Sequence, residues 1–384
     1  MKLLLLADPN SSHTLKWARS LASNDIKILI VGLGSMKSDI YKDIPNIRVK
    51  TMGQAVSRRE EVLTKLRYLG VLRRLKRIIE EFRPDIMHAH YASSYGLVGA
   101  LTGFHPFVLS VWGTDVFSFP NKSIIHRLVL KNNLRRADRL LSTSHVMALE
   151  TAKYTLKHID VTPFGIDPAV FRPFASKHEL FADQDIVVGT VKALEEKYGI
   201  EYLIRAFDVV RRRHSEMPLK LLIVGGGAEE ARLKQLVHDL GLNENTVFAG
   251  FVPYDDVPRY QNMLSVSVSV SVVQESFGVA VIEASACEKP VIVSNMGGLP
   301  EVVEDGVTGM VVPPRDVEAT ASAIERLVLD RELQKTMGKA GRARIRRLYD
   351  WNQNVHQMIS IYRNLLGLDP EHIADVGIAS MTGT

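Results

Sequence analysis

The chain has 384 residues, 26 of them Gly and 16 Pro, with 24% charged; this is more than one ordinary hydrophobic core holds, so two globular domains are expected. Its single cysteine, Cys287, excludes an internal disulfide. The apolar run after Lys2 is too short for a signal peptide or a spanning helix, so the sequence reads as that of a cytoplasmic protein.

Short apolar runs alternate with amphipathic stretches, the pattern of βα units around a parallel sheet rather than of a sandwich or a bundle. In the first half, strands are expected at 2–7, 27–31, 47–50, 86–89, 107–111 and 139–142. The net charge of +5 is unevenly spread, because residues 1–165 carry 25 Lys/Arg against 13 Asp/Glu while the remainder carries 23 against 30. Much of the surplus lies between Arg58 and Arg83, where apolar and basic residues at helical spacing read as a basic amphipathic helix or helix pair. Two readings stay open there: an ordinary surface helix with its Leu/Ile face in the core, or a docking element for an anionic membrane surface, to which each nearby Lys or Arg adds about 1 kcal/mol. Nucleic acid is not expected as a partner, since no recognition motif or aromatic-interleaved stripe accompanies the charge.

The segment from Pro163 to Pro173 is the best linker candidate, with a boundary near residue 165. Beyond it, strands are expected at 186–191, 219–224, 247–249, 264–272, 290–293 and 309–312, a last helix at 352–366, and a loosely ordered tail at 367–384.

The residues that carry chemistry concentrate in the second half. In Gln274-Glu275-Ser276-Phe277-Gly278-Val-Ala-Val-Ile-Glu283 an apolar strand ends, a polar turn follows and a helix begins. Free backbone N–H groups at Ser276, Phe277, Gly278 and Val279, with the helix dipole behind them, suit a diphosphate. Glu283, further into the helix, is placed for ribose hydroxyls, and Glu275 in the turn for a sugar. A second constellation, Gly189-Thr-Val-Lys192-Ala-Leu-Glu-Glu-Lys197-Tyr-Gly199, offers two cations on the loop after the first strand of the second series. A third, Val224-Gly225-Gly226-Gly227, leads a strand through glycines toward a helix, but Glu230 stands where a dinucleotide fingerprint needs glycine. In the first half, Ser12 and His13 follow the first strand, His88 and His90 lie on the fourth, and Trp112 and Asp115 follow the fifth. The histidines form no recognised zinc pattern, so no metal site is expected.

Glu275 and Glu283, eight positions apart with Ser-Phe-Gly after the first, resemble the signature of glycosyltransferase family 4. The resemblance runs from Ala7 to the helix after Trp351. It implies an α/β architecture, the GT-B fold: two Rossmann-like doubly wound parallel-sheet domains facing across a cleft, the last helix crossing back onto the first. It further implies a retaining, metal-independent hexosyltransferase that takes a sugar from a UDP-sugar or GDP-sugar, with no cofactor beyond that donor. On this likeness Lys192 and Lys197 hold the donor diphosphate, Lys192 standing where the family commonly has Arg. Gly225 and Gly226 border the nucleotide, the main chain near Gly250 and Val252 holds the base, and Gly297, Gly298 and Glu301 match a further family loop. Ser12, His13, His90, Trp112 and Asp115 are expected on the acceptor side; Trp112 replaces the usual histidine, and the glycine pair many relatives carry after the first strand is missing. A leaving phosphate oxygen would accept the acceptor's proton, so no separate base is required. The basic first domain points to a glycan or lipid-linked acceptor of the cell envelope, reached by a peripheral association with the inner face of the membrane. Two other readings of the same fold are a sugar-nucleotide epimerase and a non-catalytic sugar-nucleotide sensor or scaffold.

Overall fold

A computed structural model describes residues 1–53, 63–174 and 180–368, with backbone only for 63–69. Arg58 and the tail residues 369–384 lie outside the described residues. Thirteen strands are present among those described. In chain order they are β1 (Lys2–Leu6), β2 (Lys27–Gly32), β3 (Ile47–Thr51), β4 (Ile86–His90), β5 (Phe107–Val111), β6 (Arg139–Ser142), β7 (Ile159–Val161), β8 (Ile186–Val191), β9 (Leu219–Val224), β10 (Thr246–Gly250), β11 (Val266–Ser269), β12 (Val291–Ser294) and β13 (Gly309–Val312). They form a seven-stranded sheet ordered β3-β2-β1-β4-β5-β6-β7 and a six-stranded sheet ordered β10-β9-β8-β11-β12-β13. The recorded ladders are parallel.

Both sheets repeat one doubly wound order, in which the chain starts in the middle, builds outward to one edge, then returns to build toward the other. The sequence forms these strands because their apolar residues run without alternation. Leu3, Leu4, Leu5 and Leu6 are all buried, as are Leu221, Leu222, Ile223 and Val224. Such runs need helices on both faces of the sheet. The edge strands β3, β7 and β10 are only half-buried, and β7, three residues long, is too short for its pattern to stand out from a loop.

In the strand 264–272 expected from sequence, only Val266–Ser269 belongs to the sheet. It is laddered to β8 at Val266 and Ser267 and to β12 from Ser267 to Ser269, and the flanking residues of the expected strand lie outside both ladders. The Val/Ser alternation nevertheless persists. Val266, Val268 and Val270 enter the core beneath the helices Ile200–Arg213 and Val317–Leu329, leaving Ser267, Ser269 and Ser271 for the opposite face.

The chain divides into two compact units: the described residues of Met1–Ala89, Val98–Val108 and Val355–Thr384, and those of His90–Leu97 and Leu109–Asn354. In the first, the helix Trp351–Leu365 contributes Tyr362, which is fully buried and sits 2.6 Å from Nδ1 of His88 on β4. In the helix Leu63–Phe82, Val71, Leu75 and Ile78 are buried while Arg73, Arg74, Lys76 and Arg77 are exposed, so this helix has both a core face and a cationic face.

Candidate active site

In a doubly wound sheet the loops leaving the two central strands in opposite directions open a crevice at their carboxyl ends. In the six-stranded sheet those strands are β8 and β11, and the loops after them carry the residues singled out from sequence. Lys192 follows β8 and Glu275 follows β11. Their side chains meet, Nζ donating to Oε2 at 2.8 Å, with 18% and 12% of the side chains exposed. The other carboxylate oxygen of Glu275 accepts from Ser271 Oγ. Lys197 pairs instead with Glu195 at 2.7 Å, about half-exposed, and that hydrogen bond holds its ammonium above the usual lysine range. Both lysines lie over Tyr198, at 4.2 and 4.8 Å from the ring centroid, a cation–π arrangement that gathers two like charges around one ring.

Glycines stitch these loops together. At Gly225, φ is +138° and a Cβ would stand 2.0 Å from the Lys192 carbonyl oxygen, so a side chain would push the lysine loop away. Its N–H donates to Gly250 O at 2.8 Å, and Gly226 O accepts from Leu194 N at 3.0 Å. Gly250 has φ +71° with open space around it, and Val252 is half-buried beside the exposed Phe251. On the other side, Gly298 N donates to Glu275 O at 2.8 Å, and a Cβ on Gly297 would lie 2.1 Å from that same oxygen.

The helix Val279–Ala286 begins directly after Glu275-Ser276-Phe277-Gly278, with Gly278 as its cap. Its first N–H groups have no intrahelical acceptor and carry the positive end of the dipole. Ser276 is half-buried and Phe277 buried. Glu283, two positions past the first turn, is 5% exposed. The Tyr254 hydroxyl is pushed well up, first by burial around it and then by the charge and hydrogen bond of Glu283, although half of that side chain as a whole is exposed. Sequence reasoning missed Ser271, Tyr198 and Tyr254 as parts of this site. An aromatic directly after the second cationic position was the available signal for Tyr198; nothing local marks the other two.

The polar residues picked in the first half are deployed differently. After β1, the loop 8–11 is clasped by Asn10, whose side chain donates to Ser35 O at 2.9 Å, and by Tyr41, whose hydroxyl donates to Pro9 O at 2.9 Å. Ser11 caps the helix Ser12–Ala22. Ser12 is exposed, and His13 is half-buried, its imidazole pushed down to about 4 by burial and then by Lys16. His88 is pushed down to about 3 by burial alone. His90, at the end of β4, stacks on Trp112 with ring centroids 4.2 Å apart. Asp115 is 1% exposed. Its carboxylate accepts the backbone N–H groups of Ala92 at 2.7 Å, Trp112 at 3.1 Å and Gly113 at 2.8 Å; burial raises its pKa while those hydrogen bonds oppose the rise. The carboxylate thus sets the path of the Trp112 loop and presents no charge to solvent.

Two family signatures divide the chain between them: that described as "Glycosyl transferases group 1" matches residues 171–344, and "Glycosyl transferase 4-like" matches residues 2–144. This chain belongs to glycosyltransferase family 4, the group 1 glycosyltransferases. Among curated relatives, a GDP-mannose-dependent alpha-(1-6)-phosphatidylinositol monomannoside mannosyltransferase of Mycobacterium tuberculosis is 31% identical over 206 residues, 52% of each chain; the family 4 chain therefore spans about half the length of the mannosyltransferase relatives it matches. Two solved structures share its fold over nearly its whole length. The sucrose-phosphate synthase of Thermosynechococcus elongatus superposes with a TM-score of 0.80 at 23% identity, covering 96% of this chain and 100% of that one. Anabaena HepE in complex with UDP superposes with a TM-score of 0.80 at 22% identity, covering 95% and 100%. The architecture is accordingly the GT-B fold, with its two parallel-sheet α/β domains.

Proposed function

We propose that this family 4 chain is a retaining, metal-independent glycosyltransferase that moves a sugar from a UDP-sugar or GDP-sugar to a glycan or lipid-linked acceptor of the cell envelope. The observation that carries this reading is the meeting of Lys192 and Glu275 at 2.8 Å on the loops after β8 and β11, beside Lys197 and the N-terminus of the helix that holds Glu283. Departure of a diphosphate is the demanding step of the transfer, and fixed cations and helix N–H groups stabilise that charge without reorganising. In this reading Lys192 and Lys197 hold the diphosphate, helped by the backbone of Ser276, Phe277 and Gly278. Glu283 takes the ribose hydroxyls, Gly225 and Gly226 allow the nucleotide close to the main chain, and Gly250 and Val252 face the base. Binding of the diphosphate draws Lys192 away from Glu275, whose freed carboxylate then accepts hydrogen bonds from the sugar hydroxyls.

In this reading the domains follow the two sheets and not the two compact units: residues 1–165 with the helix near 352–366 form the acceptor-binding domain and residues 166–351 the donor-binding domain. Ser12, His13, His90 and Trp112 face the acceptor, and Asp115 shapes the loop that carries Trp112. The mycobacterial relative acts on a phosphatidylinositol mannoside with GDP-mannose, and HepE binds UDP; these support a nucleotide sugar as donor and make a lipid-linked acceptor the favoured class. No described helix is long and apolar enough to cross a membrane. We assign the protein to the cytoplasmic face of the membrane, where the exposed Arg73, Arg74, Lys76 and Arg77 bind anionic lipid.

A thermal-shift panel of UDP, GDP, ADP and their common sugar conjugates tests the donor site. Stabilisation by one nucleotide family that survives EDTA and weakens in Glu283→Ala and Lys197→Ala is expected, amounting to about 2.7 kcal/mol at a hundredfold excess over Kd. Loss of the response in EDTA would reject the metal-independent mechanism, and a response untouched by both substitutions would move the donor elsewhere.

A further inference from the structure

The helix Ile124–Arg136 is anchored through its C-terminal half, where Leu130, Asn133 and Leu134 are buried and the Asn133 side chain donates to Ala92 O at 2.9 Å. Its N-terminal half is unusual for a surface helix. Ile124, Ile125 and Leu128 are 75%, 71% and 60% exposed, and spacing of one and four places them side by side. Continuing the line of Ile124 and Leu128 by helical steps reaches Lys131 and Arg135, both exposed, so one face passes from apolar to basic along the helix. Lys122 and Arg127 flank the apolar end and are exposed too. No Asp or Glu occurs anywhere from 116 to 137. The end of the helix is held firmly, with Ser123 capping it through the His126 N–H and the Phe119 ring edge-on to His126 at 4.9 Å.

Three adjacent branched apolar side chains left in water call for a covering partner, and the charge around them selects which. A second copy meeting this face symmetrically would set cations against cations. An anionic lipid surface takes both parts at once, the apolar end entering the acyl boundary and the cations meeting the headgroups. We propose that residues 119–136 form an interfacial docking element that inserts Ile124, Ile125 and Leu128 into an anionic lipid surface and binds its headgroups through Lys122, Arg127 and Lys131. This deepens the membrane reading above and rests on it for the choice of surface, but it involves a segment separate from Arg73–Arg77 and adds an apolar contribution that the exposed charges there do not supply.

The test is sedimentation of the full chain with vesicles of phosphatidylcholine alone and of phosphatidylcholine mixed with phosphatidylglycerol. The unaltered chain should partition onto the mixed vesicles, less so at high salt. Combined Ile124→Ser, Ile125→Ser and Leu128→Ser should lower that partition by about tenfold or more. Combined Lys122→Gln, Arg127→Gln and Lys131→Gln should lower it several-fold and weaken the salt dependence, leaving the part that belongs to Arg73, Arg74, Lys76 and Arg77. All six side chains are exposed, so both variants should melt with the unaltered chain and keep its response to nucleotides. Partition unchanged by the serine substitutions overturns the proposal, as does an unaltered chain that ignores anionic vesicles. So does a result in which the serines abolish only self-association in sedimentation velocity, since the face would then join two copies. Failure of the donor reading shows separately, as vesicle binding without any nucleotide response.

Discussion

The loops after β8 and β11 in the six-stranded sheet and the segment from β4 to the loop after β5 in the seven-stranded sheet belong to two sheets of the same winding, yet they use their polar residues in opposite ways. In the six-stranded sheet, the cations and carboxylates neutralise one another in pairs that remain reachable: Lys192 with Glu275, Lys197 with Glu195. In the seven-stranded sheet, Asp115 and His88 are buried and engaged with the fold itself, one with three backbone N–H groups and the other with Tyr362. A reachable ion pair can exchange partners when a charged ligand arrives. A buried carboxylate saturated by N–H groups cannot do so without unfolding its loop, because the stranded donors would each cost about 1–3 kcal/mol.

The largest effect expected from this contrast is on turnover. Lys197→Ala and Glu275→Gln should each reduce kcat by about 10²–10³-fold while leaving the melting temperature nearly unchanged, measured with the donor that the nucleotide panel selects. A comparable fall in stability would show the pair to be structural and erase the contrast. Next, Asp115→Ala should destabilise the fold by about 3 kcal/mol in urea unfolding. If it cut activity and left stability intact, Asp115 would belong with the reacting groups.

A smaller effect concerns pH. Burial depresses the imidazoles of His13 and His88 to about 4 and about 3 from the ordinary 6.5, so the unfolded chain takes up protons before the folded one. Their contribution is complete above pH 6.5 and is lost progressively as pH falls toward 4 and then 3. The melting temperature should drop over that window, and His13→Gln should make the drop shallower; an unchanged profile would place His13 in water. The smallest effect is expected at Glu195→Gln, which breaks a half-exposed pair and should alter stability by less than about 0.5 kcal/mol. A large loss of donor binding in that variant would mean that Glu195 positions Lys197, sharpening the picture of the lysine loop.

Much of the fold is written locally. Strands such as 107–111, 139–142, 186–191, 219–224 and 309–312 agree with β5, β6, β8, β9 and β13 to the residue, because uninterrupted apolar runs bounded by polar turns leave a buried parallel strand as the economical conformation. The spacing of Glu275, Gly278 and Glu283, and of Lys192 and Lys197, was likewise enough to single out both halves of the candidate site and to suggest its family. What local pattern could not express was which side chains meet. Ser271 and Glu275 are four residues apart, but their contact depends on the path the chain takes after β11 ends at Ser269. Tyr254 reaches Glu283 across 29 positions of sequence, and Asp115 takes one of its three backbone partners, Ala92, from 23 residues away. Sequence alone determined the order of every strand but β7 and the chemical groups available, since hydrophobic period and turn chemistry act over a few residues. Only the tertiary structure decided which of those groups remain reachable and which are consumed in holding the loops, because burial and hydrogen-bond saturation arise from contacts between segments far apart in the chain.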